Sequence, residues 1–241
     1  MQMEVDIFIP CYIDQFYPET GFNMVKVLEK LGCKVHYNAN QTCCGQPLYN
    51  AGYKNEAIKI AKKFLNDFKG ERYIVSPSAS CIAMVKNTYN EFFESSASRI
   101  KFKKIQVKAY EFTTFLTEIL KVEDIGAEFD ATVTYHDSCS AFRLLGIYDG
   151  PRRLLKNVKN LKLIEMKEND TCCGFGGTFA VKMEPISTGM VDQKIENALA
   201  TEAEYIVSTD TSCIMHMEGF VKKQRKDIKL IHIADILAQG Y

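Results

Sequence analysis

The sequence has no excess of either charge. Thirty lysines and arginines stand against thirty aspartates and glutamates, and the pI is near 6.9. That balance argues against a dedicated nucleic-acid or anionic-membrane surface, each of which needs a Lys/Arg surplus. No apolar run approaches the roughly 18–20 residues that span a bilayer. The opening stretch, Met1 to Pro10, lacks a basic flank and a cleavage site. It reads as a strand rather than a signal peptide, so a cytoplasmic location is expected. Also missing are a Gly-x-Gly-x-x-Gly after a strand and a phosphate-binding loop, so no nicotinamide, flavin or nucleotide is expected on this chain. The 241 residues, 46% of them apolar, suffice for one large domain or two small ones with sound cores.

What the sequence does have is cysteine, nine in all, and eight of them fall into two matching quartets. Thr42-Cys43-Cys44-Gly45 recurs as Thr171-Cys172-Cys173-Gly174. Cys11 precedes the first pair by 31 intervening residues and Cys81 follows it after 36. Cys139 precedes the second pair by 32 and Cys213 follows it after 39. In a reducing compartment, repeated cysteines more often bind metal or carry redox chemistry than form structural bridges.

The rest of the chain repeats in the same rhythm. In the first half, strands are predicted at Val5 to Pro10, Lys34 to Tyr37, Tyr73 to Val75 and Ile105 to Ala109. Helices are predicted from Gly21 to Leu31 (stopped by Gly32), from Asn55 to Phe68, from Ile82 to about Phe93 and from Glu111 to Leu120. Polar residues 121–130, with Gly126, read as a linker between a first half-domain, 1–122, and a second, 131–241. The second half predicts strands at Ala131 to Tyr135, Leu161 to Met166, Tyr205 to Val207 and Lys229 to Ile233. Helices are predicted at Gly150-Pro151, Met190 to Glu202 and Ala234 to Leu237. Tyr73-Ile-Val-Ser76 before Ser80-Cys81-Ile82 matches Tyr205-Ile-Val-Ser208 before Ser212-Cys213-Ile214. The expected fold is α/β: two duplicated Rossmann-like half-domains related by pseudo-twofold symmetry, each a small parallel sheet flanked by helices.

Each cysteine site follows predicted strand one, two or three of its half. Loops after parallel strands share one rim of the sheet, where ligands bind, so topology alone gathers distant thiols. The alternative is that these are small buried core residues. A disulfide within an adjacent pair is unfavourable, since consecutive Cα atoms lie 3.8 Å apart, below the usual bridged range of about 4.4–6.8 Å. Zinc normally uses pairs two to four residues apart, whereas adjacent cysteines pointing apart suit different irons of one cluster. Gly45 and Gly174 permit a tight turn, and the amides of Gly174, Gly176 and Gly177 could donate to cluster sulfurs. Iron–sulfur and zinc both stand as readings at this point.

This doubled Cys–x31–Cys-Cys-Gly–x–Cys arrangement resembles the cysteine-rich "CCG" domain. That domain occurs in the cysteine-rich component of heterodisulfide reductase, in iron–sulfur subunits of glycolate oxidase and anaerobic glycerol-3-phosphate dehydrogenase, and in the lactate utilisation protein A family. A stand-alone chain of this length, with no ferredoxin-type Cys-x2-Cys-x2-Cys run, most resembles the last of these. The resemblance implies an iron–sulfur electron-transfer subunit of an L-lactate (2-hydroxy acid) oxidising system that yields pyruvate. It would work with companion lactate utilisation proteins, one carrying ferredoxin-type clusters. Cluster ligation would fall on Cys11, Cys43, Cys44 and Cys81, and on Cys139, Cys172, Cys173 and Cys213. Where the heterodisulfide reductase component has a further cysteine, this chain has Met84 and His216. Four thiolates per half suffice for one four-iron cubane each. Rival readings are an oxidoreductase acting on its substrate directly at a cluster, and a zinc-stabilised assembly scaffold.

Two histidines are candidate catalytic residues, His136 (three before Cys139) and His216 (three after Cys213), as proton carriers or cluster contacts. The competing reading for each is a structural hydrogen bond. Arg143 could attract a carboxylate or lie solvated. His36 and His232 read as strand histidines, Cys33 as a buried inert thiol, and Lys222 to Lys226 as a complement to a helix dipole.

Overall fold

The computed structural model describes residues 2–241. The first half runs β1 (Glu4–Ile7), α1 (Cys11–Phe16), α2 (Pro18–Lys30), β2 (Lys34–Tyr37), α3 (Gln46–Asn50), α4 (Lys54–Asp67), β3 (Tyr73–Ser76), α5 (Ala79–Lys86), α6 (Ser96–Gln106), β4 (Ala109–Glu111) and α7 (Phe112–Thr114), which widens into a π turn over Phe115–Ile119. The second half runs β5 (Glu128–Tyr135), α8 (Asp149–Lys156), β6 (Lys159–Leu163), α9 (Thr178–Lys182), α10 (Glu184–Leu199), β7 (Tyr205–Ser208), α11 (Thr211–Gln224), β8 (Lys229–His232) and α12 (Ile233–Leu237). Each half forms a four-stranded, wholly parallel sheet. The orders are β2-β1-β3-β4 and β6-β5-β7-β8, so the duplicated α/β architecture is present strand for strand.

Local chemistry accounts for the elements. Helix α2 ends at Gly32, whose φ of +82° is the left-handed cap its position predicts, and the Cys33 amide reaches back to Leu28 O at 3.0 Å. Most of the segment from Ile105 to Ala109, predicted as a strand, is instead the end of α6 and the turn beyond it, up to Lys108. Ser95 caps that helix by accepting from the Ser98 amide at 3.3 Å, and Phe102 and Ile105 bury one face while Val107 stays exposed. The strand moves to Ala109–Glu111. Helix α5 is shorter than predicted, a 3₁₀ turn at Thr88–Glu91 taking its place. Residues 121–127 have no regular structure, yet Ile125 and Ala127 are buried, and β5 starts at Glu128.

The largest apolar cluster belongs to both halves. It joins Val5, Met24, Leu28, Phe112 and Phe115 to Val133, Tyr135, Leu154, Ile233 and Leu237. Polar clasps close its edge: Thr20 and Asn23 on α2 both donate to the Asp235 carboxylate at 2.9 Å. Because one core serves both sheets, the halves should unfold together. Phe115→Ala is expected to cost about 3–5 kcal/mol and to lower the denaturation midpoint of a single urea transition, followed by circular dichroism.

Glu111, at the end of β4, caps α7 by accepting from the Thr114 amide at 3.1 Å. Burial pushes its carboxyl up to about 7. Since the folded state holds this proton more tightly than the unfolded chain, stability should fall as pH rises from about 4.5 to about 7. Glu111→Gln should flatten that part of the stability–pH curve and leave the variant more stable than the parent at pH 8.

Candidate metal centre

Every cysteine of the quartets sits just past the C-terminal end of a parallel strand. Cys11 opens α1 after β1, Cys43 and Cys44 lie in the loop after β2, and Cys81 lies in the first turn of α5 after β3. The second half repeats this, with Cys139 after β5, Cys172 and Cys173 after β6, and Cys213 in the first turn of α11 after β7. In the first half the sulfurs meet: Cys11 Sγ is 3.6 Å from Cys43 Sγ, and Cys44 Sγ is 3.4 Å from Cys81 Sγ. Each thiol of the adjacent pair thus reaches a different distant partner, while the two also interact with each other. In the second half Cys172 lies by Cys139, and Cys173 by Cys172 and Cys213, near enough for each to shift its neighbours' acidity. All nine cysteines are free thiols. Cys33 lies apart from both sites, in the shared core, and Met84 is packed among the apolar side chains around Cys44 and Cys81.

The glycine after each pair fixes the loop. Gly45 and Gly174 have φ of +84° and +88°, and their amides donate to Cys43 Sγ and Cys172 Sγ, each at 3.3 Å. Gly176 and Gly177 also have positive φ and line the neighbouring cavity, but no hydrogen bond from them to a sulfur occurs among the described residues. In each quartet one thiol is made acidic by its neighbours. Donation from Cys11, then Cys44, and from the Gly45 amide pulls Cys43 down to about 3, while sharing with that thiolate pushes Cys11 and Cys44 up. Cys172 falls to about 2 through Cys139, Cys173 and the Gly174 amide, with Cys139 and Cys173 raised. A metal replacing the remaining S–H protons would release them, so binding weakens at low pH.

The two sites differ in their surroundings. The first quartet backs onto aromatic rings: Phe8 stands edge-on to Phe64 with centroids 4.9 Å apart, beside Phe68 and Tyr89. All four second-half cysteines, and none from the first half, line a cavity of about 370 Å3. Tyr12, Gln46, Asn50 and Ser80 of the first half roof it. Behind Cys173 and Cys213, outside the cavity lining, His136 is wholly buried, and neither ring nitrogen has a hydrogen-bond partner. A ring nitrogen of His136 and the sulfurs of Cys173 and Cys213 all lie within 4.8 Å of one another. Burial, then the charge of Lys194, drives the imidazole down to about 3, so it is neutral and able to ligate or donate. His216 contacts Ser187 Oγ at 3.3 Å and packs against Phe175, and Ser187 in turn donates to Gly174 O at 2.8 Å. It therefore braces the loop that carries Cys172 and Cys173.

Three residues at this site were not singled out from sequence. Lys194 is fully buried and donates to Glu168 O. Asp210 accepts from the Ser212 amide at 3.1 Å and, across the halves, from the Ser80 amide at 2.7 Å, so one carboxylate ties together the residues next to Cys213 and Cys81. Arg152 grips Asp137, next to His136, at 3.0 and 2.7 Å and also pairs with Glu165. Asp210 carries a legible sign, since aspartate before Thr-Ser-Cys is a helix-capping pattern. Lys194 and Arg152 show none beyond their place on helices. The other candidates are surface or capping groups: Arg143 donates to Asp170 O, His36 pairs with Glu4 at 2.8 Å, His232 Nδ1 caps α12, and Lys222 pairs with Glu218.

Two sets of four thiols at strand-end rims, each with an oriented amide donor and one with an orphaned imidazole, mark a candidate metal- or cluster-binding centre in an α/β protein. Comparison with known proteins gives the family. The cysteine-rich domain model, CCG, matches residues 5–86 and again 133–218. "Lactate utilization protein A" of Geobacillus kaustophilus is 45% identical over 98% of both chains. "Lactate utilization protein A 1" of Bacillus mycoides is also 45% identical, over 98% of this chain and 96% of its own. The chain belongs to the cysteine-rich CCG domain family, and at this identity to the same family as these relatives. A hypothetical protein from Helicobacter pylori, solved by crystallography, superposes on 100% of this chain and 50% of its own with a TM-score of 0.68. At 13% identity that likeness concerns the fold alone.

The donor set fits a thiolate-bound metal group: the sulfurs are gathered, unbridged and provided with N–H donors. Of the two glycines that follow the pairs, Gly174 is the more constrained, because an added Cβ would lie 2.7 Å from Ser187 O, whereas at Gly45 the nearest atom would be 3.4 Å away. Gly174→Ala should therefore displace the second loop and remove about half of the bound metal. Gly45→Ala should cost only the left-handed backbone strain of about 1–2 kcal/mol and retain nearly all of it. Metal analysis alongside thermal denaturation separates the two outcomes.

Proposed function

We propose that this chain is an iron–sulfur electron-transfer subunit of a system that oxidises L-lactate, or a related 2-hydroxy acid, to pyruvate in the cytoplasm. The observation that carries this reading is the duplicated quartet, four free thiols brought to one rim in each half by the same three strand-end loops. The relatives named for lactate utilisation supply the substrate class. Cys11, Cys43, Cys44 and Cys81 would hold one four-iron cluster, and Cys139, Cys172, Cys173 and Cys213 the other. A cluster of this kind takes up and releases single electrons. Oxidation of a 2-hydroxy acid to a 2-keto acid releases two electrons and two protons, so two one-electron centres match the electron count. The chain's own residues gather the thiols at each rim and donate amides to Cys43 and Cys172. Companion proteins, one with ferredoxin-type clusters, would exchange the electrons.

Zinc is the second reading, and one measurement favours it. Thiolates on a single tetrahedral ion at about 2.3 Å stand about 3.8 Å apart, close to the 3.6 and 3.4 Å separations in the first half. Against it, in the first half the adjacent cysteines reach two different distant thiols, Cys11 and Cys81, which suits a multinuclear core. Anaerobically purified chain should be brown and hold about eight irons and eight sulfides, the content of two four-iron clusters. Cys173→Ser should remove about half of each. Colourless protein with stoichiometric zinc and no sulfide would replace this reading with that of a zinc-stabilised scaffold.

A further inference from the structure

Superimposed by their hydrogen bonds, the two halves differ at the very positions that face the sulfurs. The Phe8 amide donates to Val75 O at 2.9 Å and the His136 amide donates to Val207 O at 2.9 Å, so the two residues hold one place in the fold. A second exchange accompanies the first. A Cβ on Gly45 would meet Ile60, and one on Gly174 would meet Met190. Four residues beyond these stand Phe64 and Lys194, both buried. The edge-on ring pair Phe8–Phe64 of the first half is thus replaced by a histidine and a lysine in the second.

These exchanges act on charge. Reducing a thiolate-bound cluster adds negative charge, which a purely apolar wall opposes and which hydrogen-bond donors, a nearby cation or water favour. Behind the first quartet stand phenylalanines and Tyr89, whose hydroxyl is already given to Cys44 O at 2.8 Å. Behind the second stand an imidazole with no hydrogen-bond partner and the amino group of Lys194, which donates to Glu168 O, and a cavity lies in front. Of the carboxylates on that side, Asp137 is paired with Arg152, and Asp210 is held by the amides of Ser80 and Ser212; its charge bears on Cys139 and Cys213 and offsets part of the effect of the donors.

We propose that the two centres stand at different reduction potentials, the second-half centre higher, and that His136, by ligating or donating to it, sets the difference. This rests on the reading of both quartets as cluster sites. The first electron to enter the chain settles on the second-half centre, at the inter-half cavity, and the first-half centre fills after it. His136 is then a positioning and tuning residue with no counterpart in the first half.

The test is a redox titration of the full-length, anaerobically reconstituted chain followed by EPR, with signals assigned through Cys43→Ser and Cys173→Ser. Two one-electron events are expected, the second-half centre preferred at least tenfold, a separation of about 59 mV or more. His136→Phe, which copies the first half, should lower the upper event at least tenfold at unchanged iron content, and His136→Gln, which keeps a donor, should preserve most of the gap. The reciprocal Phe8→His should raise the lower event. A fully loaded chain with a single unresolved event, or a gap unaltered in His136→Phe, overturns the proposal and leaves the cluster reading intact. Absence of iron and sulfide overturns the cluster reading, and the proposal with it; metal analysis identifies that case.

Discussion

Parallel strands deliver the loops at their carboxyl ends to one edge of a sheet, and everything else in this protein depends on that delivery. Thiols more than thirty residues apart meet because β1, β2 and β3, and again β5, β6 and β7, lie side by side and point the same way. The sheets themselves are fixed by burial. Val5, Ile74 and Val75 in one half, and Val133, Ile206 and Val207 in the other, are inaccessible to water. A one-residue slip of any of these strands would move its cysteine loop along the rim and part the sulfurs. Packing far from the site thus controls geometry at the site.

The shared core adds a second constraint. With α2 clasped to α12 and a single apolar cluster under both sheets, the two rims are held in a fixed relation. Asp210 and the Ala79 amide, which donates to Thr209 O at 3.2 Å, connect the halves between the two quartets. The cavity in front of the second quartet exists because the first half roofs it. A separated second half would lose Tyr12, Gln46, Asn50 and Ser80 from its walls.

Much of this was legible in the amino-acid order, for physical reasons that differ by element. Strands such as Lys34–Tyr37 and Tyr205–Ser208 were readable as β-branched and aromatic runs ending in turn residues. The cysteine loops were readable because spacing repeats even where sequence does not. Ile105 to Ala109 misled because alternation over five residues fits a strand as well as the last turn of an amphipathic helix, and the deciding contact, Ser95 to the Ser98 amide, lies upstream. Helix α9 was hidden among the glycines that precede it. The His136–Lys194 pair was illegible in a deeper sense. A histidine before a cysteine and a lysine on a helix are each unremarkable, and only the fold shows that both occupy places held by phenylalanine in the other half.

The two halves are therefore alike in backbone and in thiols and unlike in what surrounds the thiols. Duplication supplied two sites, and substitution at a few buried positions gave one an aromatic lining and the other a histidine, a lysine and a cavity. The claim beneath this account is that each quartet converges on one shared inorganic core. X-ray absorption at the iron edge, on anaerobically prepared chain, tests it most directly. The account predicts an all-sulfur nearest shell (with at most one nitrogen per chain) and a further shell of neighbouring iron. Isolated metal ions with a sulfur shell and no metal neighbour would contradict it.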